Sequence, residues 1–231
     1  MSNIDTKIIS VVSQKGGTGK STNNIMLATN LLYHFKKKVV LFDMDIPQYS
    51  ITNKKDKELD THQDYLLKVD YPVEMIDRSD NNLVDTLKKY YGSVDYIILD
   101  FPGNINEDMI KGIGYLDYAF LPLSFDDLEV DATIAFYETL VESFLETSDY
   151  PLDGVYLFFN QYEKVKKNSF QELRELIEGQ GINMLKSNVL RRTVYKDEYR
   201  SLIYPIPKNK ETGKDEYKSF IKEILKITSK K

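Results

Sequence analysis

The densest chemistry in the sequence lies in one short run near its start, Gly16-Gly17-Thr18-Gly19-Lys20-Ser21-Thr22, inside "SVVSQKGGTGKST". It follows an apolar run directly and opens a helical stretch, which is the context a phosphate-binding loop requires. The glycines let the backbone turn tightly and aim several N–H groups at a polyphosphate. The helix beginning near Lys20 adds its positive N-terminal end. Lys20 would place its ammonium between β- and γ-phosphates, and the Ser21 hydroxyl would ligate Mg²⁺. The general form is G-x-x-x-x-G-K-[ST]. Here Gln14 stands where the first glycine belongs, and Lys15 follows it. From within one tight loop Lys15 does not easily reach the phosphates that Lys20 serves. It could reach a nucleotide held by another subunit.

The elements that must position this loop are legible from end to end. "KIISVVS" (7–13) precedes it, a helical stretch runs from Lys20 to Phe35, and "KVVLFD" (38–43) follows. Then come "PVEMID", "VDYIILD", "YAFLPLS", "GVYLFFN" and "MLKSNVL", each expected to be a strand. Continuous Val/Ile/Leu/Phe runs of this length suit strands covered on both faces, as in a parallel sheet. Their alternation with helices predicts one doubly wound α/β domain over residues 1–231, mostly parallel, with helices on both faces. The polar stretch 46–70 is expected to be a mobile insertion within it. The segment "DEYKSFIKEILKITSKK" reads as an amphipathic helix. Tyr217, Phe220, Ile221, Ile224 and Leu225 recur at helical spacing, and Lys218, Lys222 and Lys226 share another face.

Composition narrows the class. Hydrophobic residues are 42% and charged residues 29%, the balance of a soluble globular chain. The chain has no cysteine, which removes disulfides, thiolate metal sites and cysteine nucleophiles; with only His34 and His62, a histidine-rich metal centre is disfavoured. No apolar run approaches the roughly 20 residues that span a bilayer, and "MSNIDTKIIS" lacks the pattern of a signal peptide. These features predict a cytoplasmic protein without integral membrane association. The net charge is −5, but residues 151–231 hold 17 Lys+Arg against 11 Asp+Glu. That basic half is either a solvated surface or a face for an anionic partner.

The run "KGGTGKS" resembles the loop of the ParA/MinD family of P-loop ATPases. The resemblance implies that Lys15 crosses a two-fold interface to the partner's ATP and makes dimerisation depend on ATP. "VVLFDMDIPQYS" is similar to the family's second strand and its D-x-D-P-Q switch, with Asp43, Asp45, Pro47 and Gln48 at matching positions and Ile46 intruding. By that likeness Asp45 orients or activates the attacking water, so Lys15, Lys20 and Asp45 form the catalytic set. "VDYIILDFPGN" resembles a Walker B strand and switch: Asp100 would join Ser21 in holding Mg²⁺, the carboxylate acting through a water molecule, and Gly103, where a second proline is commoner, implies a looser switch. Asn160, ending "GVYLFFN", matches an adenine-reading position, and "NVLRRTVYKDEYRSLIYPIP" matches the C-terminal segment that brings Pro205 near the base. Met26 departs from the family, which commonly carries asparagine there.

This likeness implies a partition-type ATPase. ATP and Mg²⁺ would bridge two subunits, and the dimer would bind DNA without sequence preference, associating with the nucleoid. A ParB-like partner would stimulate slow hydrolysis. Candidate DNA contacts are Arg191, Arg192, Lys218, Lys222 and Lys226, together with Lys164, Lys166 and Lys167. Two alternatives stay open. A MinD-like positioning ATPase would bring its last helix to anionic lipid, although such relatives usually carry an extra lipid-binding helix. A small-molecule kinase would use the same loop but would give Lys15 no task.

Overall fold

The strands form a six-stranded sheet in the order β3-β2-β4-β1-β5-β6. They are β1 (Lys7–Val11), β2 (Val39–Asp43), β3 (Val73–Met75), β4 (Tyr96–Asp100), β5 (Tyr118–Leu123) and β6 (Gly154–Phe159). Every pairing is parallel. The structure is a computed structural model that describes residues 4–46, 48–61, 70–77, 82–104, 107–207 and 214–229. Every residue of β2, β4 and β5 is buried, the physical reason these segments read as unbroken apolar runs.

The helices are α1 (Lys20–Phe35), α2 (Ser50–Thr61), α3 (Asn82–Tyr90), α4 (Glu107–Ile113), α5 (Asp127–Leu140), α6 (Lys167–Gly179) and α7 (Lys214–Thr228). They supply two apolar layers, one on each face of the sheet. On one face α1 and α7 pack Leu27, Leu31, Phe220 and Ile224 against Ile9, Leu41 and Ile98. On the other, α3 to α6 bring Leu87, Ile113, Phe136 and Ile177 against Phe42, Leu99 and Leu121. Each such side chain, once fully buried, contributes about 1.5–3 kcal/mol. The doubly wound parallel sheet is therefore as predicted. Because all strands point the same way, the carboxyl ends of β1, β2, β4 and β5 share one edge, and the crevice above it is where ligands bind in such sheets.

Two expected elements differ. "MLKSNVL" does not continue as a regular strand beside β6. It makes only isolated parallel bridges, Leu157 with Met184 and Tyr162 with Leu190. Between them the Lys186 and Ser187 N–H groups donate to the Glu223 carboxylate of α7, both at 2.8 Å, so they are withdrawn from the ladder. The stretch 46–70 is not wholly a loop either: α2 occupies Ser50–Thr61 and buries Ile51 and Lys55. Asp43 Oδ2 accepts from Ile51 N at 3.1 Å and Thr52 N at 3.0 Å, so it caps the start of that helix. Glu58 Oε2 accepts from Leu202 N at 2.8 Å, pinning the helix to a distant segment. Pro47 and residues 62–69 lie outside the described residues.

Candidate nucleotide site

β1 delivers the chain to the loop, and α1 carries it away. Gly17 and Gly19 turn with φ of +80° and +89°, conformations that disfavour a side chain. The first-turn N–H groups of α1 have no intrahelical carbonyl to meet, so they face the crevice as an anion cradle. Lys20 is buried, and its Nζ donates to the Lys15 carbonyl at 2.8 Å. Burial lowers its pKa, against the opposing attraction of Asp100 and Asp45. An ammonium held this way, inside its own loop, is placed to exchange that carbonyl for a phosphate oxygen.

Ser21 Oγ donates to Asp100 Oδ2 at 2.7 Å. The hydroxyl and carboxylate expected to hold a metal are thus already together, across 79 residues of sequence. Asp100 is fully buried, and burial pushes its pKa up to about 7 despite hydrogen bonds from Asn24 and Ser21. A dication would reverse that shift, because it favours the ionised carboxylate. The hard oxygen set of Ser21 and Asp100 fits Mg²⁺. Asp45 is half-buried beside the same crevice. Its pKa is raised, first by burial and then by Asp43, with Lys20 opposing. The direction suits a carboxylate that must take a proton from water.

These groups line one cavity of about 550 Å³, a size that accommodates a small-molecule ligand. Gly16, Gly17, Gly19, Lys20, Ser21 and Thr22 form its floor, with Asp45, Phe101 and Gly103 on one side. Gly103 approaches the loop closely: a Cβ there would lie 3.5 Å from Gly16 Cα. The opposite wall is Asn160, Gln161 and the stretch from Val189 to Thr193. Thr18 is buried below the surface, and its carbonyl accepts from Asn160 Nδ2 at 2.7 Å. Asn160 therefore ties β6 to the phosphate loop while lining the cavity. Pro205 lies outside that cavity. Its neighbour Ile206 is bonded to α1, by its N–H to Asn30 Oδ1 at 3.1 Å and by its carbonyl to His34 Nε2 at 2.6 Å.

Lys15 does not line the cavity of its own subunit. Its side chain is exposed and borders a small hollow against α5 with Gln14, Ala132 and Thr133. The basic candidates divide. Arg191 and Arg192 line the cavity, and Arg191 pairs with Glu163 at 3.2 Å. Lys218, Lys222 and Lys226 are instead exposed along α7, whose opposite face is in the core. Lys164, Lys166 and Lys167 are exposed at the start of α6.

One residue central to the site escaped sequence reasoning. Asn24, fully buried in α1, accepts from Val11 N at 2.8 Å and donates to Asp100 Oδ1 at 2.7 Å. It locks the phosphate-loop helix to β1 and to the Asp100 carboxylate. The signal available was the pair Asn23-Asn24 in a helix interior, where asparagine is a poor helix former and seldom buried without a partner.

Comparison with known proteins agrees with this geometry. The chain is 25% identical over 171 residues to the uncharacterised ATP-binding protein MJ0169 of Methanocaldococcus jannaschii, a match covering 65% of this chain. It spans 63% of that protein's length. Its fold is similar to that of a Borrelia burgdorferi protein assigned to plasmid partition and bound to AMPPNP. That likeness has a TM-score of 0.68 and 23% identity, and covers 96% of this chain and 99% of the other. It is also similar to pNOB8 ParA bound to nonspecific DNA, with a TM-score of 0.63 and 15% identity over 96% and 98% of the two chains. Residues 9–202, which carry the loop, Asp45, Asp100 and both cavity walls, match the nucleotide-binding domain shared by CobQ, CobB, MinD and ParA, and the chain belongs to that family.

Proposed function

We propose that the protein is an ATP-dependent dimerising ATPase of ParA type, acting in the partitioning of DNA. The observation that carries this reading is the division of labour between the two lysines of the loop. Lys20 is buried over its own cavity, whereas Lys15 is exposed outside it. A second subunit facing the loop would receive the Lys15 ammonium on its triphosphate, so that bound ATP itself becomes part of the interface.

Within each subunit the loop N–H groups and Lys20 hold the β- and γ-phosphates. Ser21 and Asp100 would hold Mg²⁺, which would supply positive charge beside the phosphate oxygens. Asp45 orients a water in line with the leaving oxygen and accepts its proton. Hydrolysis removes the group that Lys15 grips, and the dimer separates. In this cycle the exposed lysines of α7 contact DNA phosphates, and a ParB-like partner accelerates turnover. DNA affinity of that kind falls steeply with salt.

Light scattering on the Asp45→Ala protein, which holds ATP without turning it over, tests the reading. With ATP and Mg²⁺ the mass should double, and the added Lys15→Ala substitution should return it to the monomer. A monomer under both conditions, or a dimer indifferent to Lys15, would sink it.

A further inference from the structure

Gln14 occupies the place of the loop's first glycine, and nothing in the phosphate chemistry asks for a side chain there. It is half-buried and does not line the nucleotide cavity. Its amide reaches α5 instead, where Nε2 donates to the Ala132 carbonyl at 2.9 Å. A carbonyl oxygen has two lone pairs, so one inside a helix can accept such a lateral bond besides its own. The contact joins residues 118 apart in sequence. It borders the small hollow lined also by Val12, Leu121 and Phe136, all buried in the core. α5 is itself firmly held. Asp126 caps its start by accepting from Glu129 N at 3.1 Å, and Phe136, Tyr137 and Leu140 are buried. Gln14 thus ties the mouth of the loop to a rigid body outside it.

The next residue along the chain is Lys15, whose own backbone bonds stay within the loop. Its N–H donates to Ser13 Oγ at 3.2 Å. Its carbonyl accepts from Lys20 Nζ at 2.8 Å and from Thr18 Oγ1 at 3.4 Å. The strongest of these is the charged one, and a nucleotide would take it, because Lys20 must then turn to the phosphates. The Gln14 bond involves neither Lys20 nor the nucleotide, so it survives that exchange. A lysine reaching across an interface already gives up much rotamer freedom. A backbone that also had to be ordered would weaken the contact further. Resting on the dimer reading above, we infer that Gln14 is the positioning residue of Lys15. Its bond to α5 holds the Lys15 backbone when ATP draws Lys20 away, so that the exposed ammonium meets the triphosphate of a second copy from a fixed base.

The test uses the Asp45→Ala protein with ATP and Mg²⁺, and reads the monomer–dimer dissociation constant from light scattering over a range of concentrations. Gln14→Met keeps the length of the side chain without a donor. Gln14→Asn keeps the amide but is one methylene shorter. A two-fold dimer loses the bond twice, so both variants should dimerise about tenfold more weakly. ATP affinity is measured in parallel with Lys15→Ala added, which keeps every protein monomeric. There glutamine and its two replacements should agree within about twofold. Undiminished dimerisation in either variant, while Lys15→Ala abolishes it, would overturn the inference and leave the ATPase reading standing. So would a loss of ATP affinity in the monomers as large as the loss of dimer, because Gln14 would then shape the phosphate cradle and not present the lysine. Absence of an ATP-dependent dimer in the parent protein, or a dimer indifferent to Lys15, would overturn both.

Discussion

Replacing Asn24 tests the coupling between the phosphate-loop helix and the Asp100 carboxylate. Leucine has a similar shape but carries no polar atoms. Asn24→Leu removes the 2.7 Å bond to Asp100 and strands the Val11 N–H that Asn24 Oδ1 accepts from at 2.8 Å. The first loss, a hydrogen bond to a charged group, is worth about 1.5–3 kcal/mol, and the second, an unpartnered buried donor, about 1–3 kcal/mol. Leucine at this fully buried position returns about 1.5–3 kcal/mol of apolar burial. A net loss of about 2 kcal/mol follows, set against a typical domain stability of about 5–15 kcal/mol. Asn24→Ala lacks that return and should lose about 2 kcal/mol more. Urea unfolding of the three proteins measures both differences. Asn24 also draws the pKa of Asp100 down, so its removal should leave more of that carboxyl protonated at neutral pH. The Mg²⁺-dependent part of nucleotide affinity should then fall. If Asn24→Leu matched wild type within about 0.5 kcal/mol, the size of an ordinary surface substitution, and kept the Mg²⁺ dependence, the asparagine would not be the link proposed here.

Two further perturbations probe the frame around the site. A Cβ on Gly112 of α4 would lie 2.4 Å from Phe101 Cε1 and 3.2 Å from Met44 Cε, so Gly112→Ala must displace the ring that follows Asp100. Overpacking of this kind costs about 1–3 kcal/mol, and a thermal melt should show it together with weaker nucleotide binding. An unchanged melt would mean that Phe101 moves freely. At the opposite end of the sheet, Asp117 Oδ2 accepts from Ile8 N at 2.6 Å, and burial pushes the carboxyl pKa up to about 6 from 3.8. A raised carboxyl pKa favours the folded state most below the unfolded value, and that advantage is lost as pH rises toward 6. Asp117→Asn should therefore match wild type near pH 4 and exceed it at pH 7.5 by about 1–2 kcal/mol, after allowance for partial exposure. Melts at the two pH values check the sign, and a constant difference would refute it.

The sequence alone determined the elements that depend on local pattern. The glycines and Lys20 specify the phosphate loop, the apolar runs specify the strands, and the heptad-like spacing of Tyr217, Phe220 and Ile224 specifies which face of α7 is buried. Such signals act over a few residues, and neighbours along the chain encode them directly. The tertiary structure decided which distant groups meet. Asn24 reaches Asp100 across 76 residues, and Asn160 reaches Thr18 across 142. Arg191 and Arg192, grouped by charge with the α7 lysines, are brought by the fold to the wall of the nucleotide cavity. Glu223 withdraws two N–H groups from "MLKSNVL" and thereby keeps it from becoming a seventh strand. Each outcome depends on which loops a parallel sheet gathers at one edge. That is a property of strand order, and no spacing within a single segment contains it.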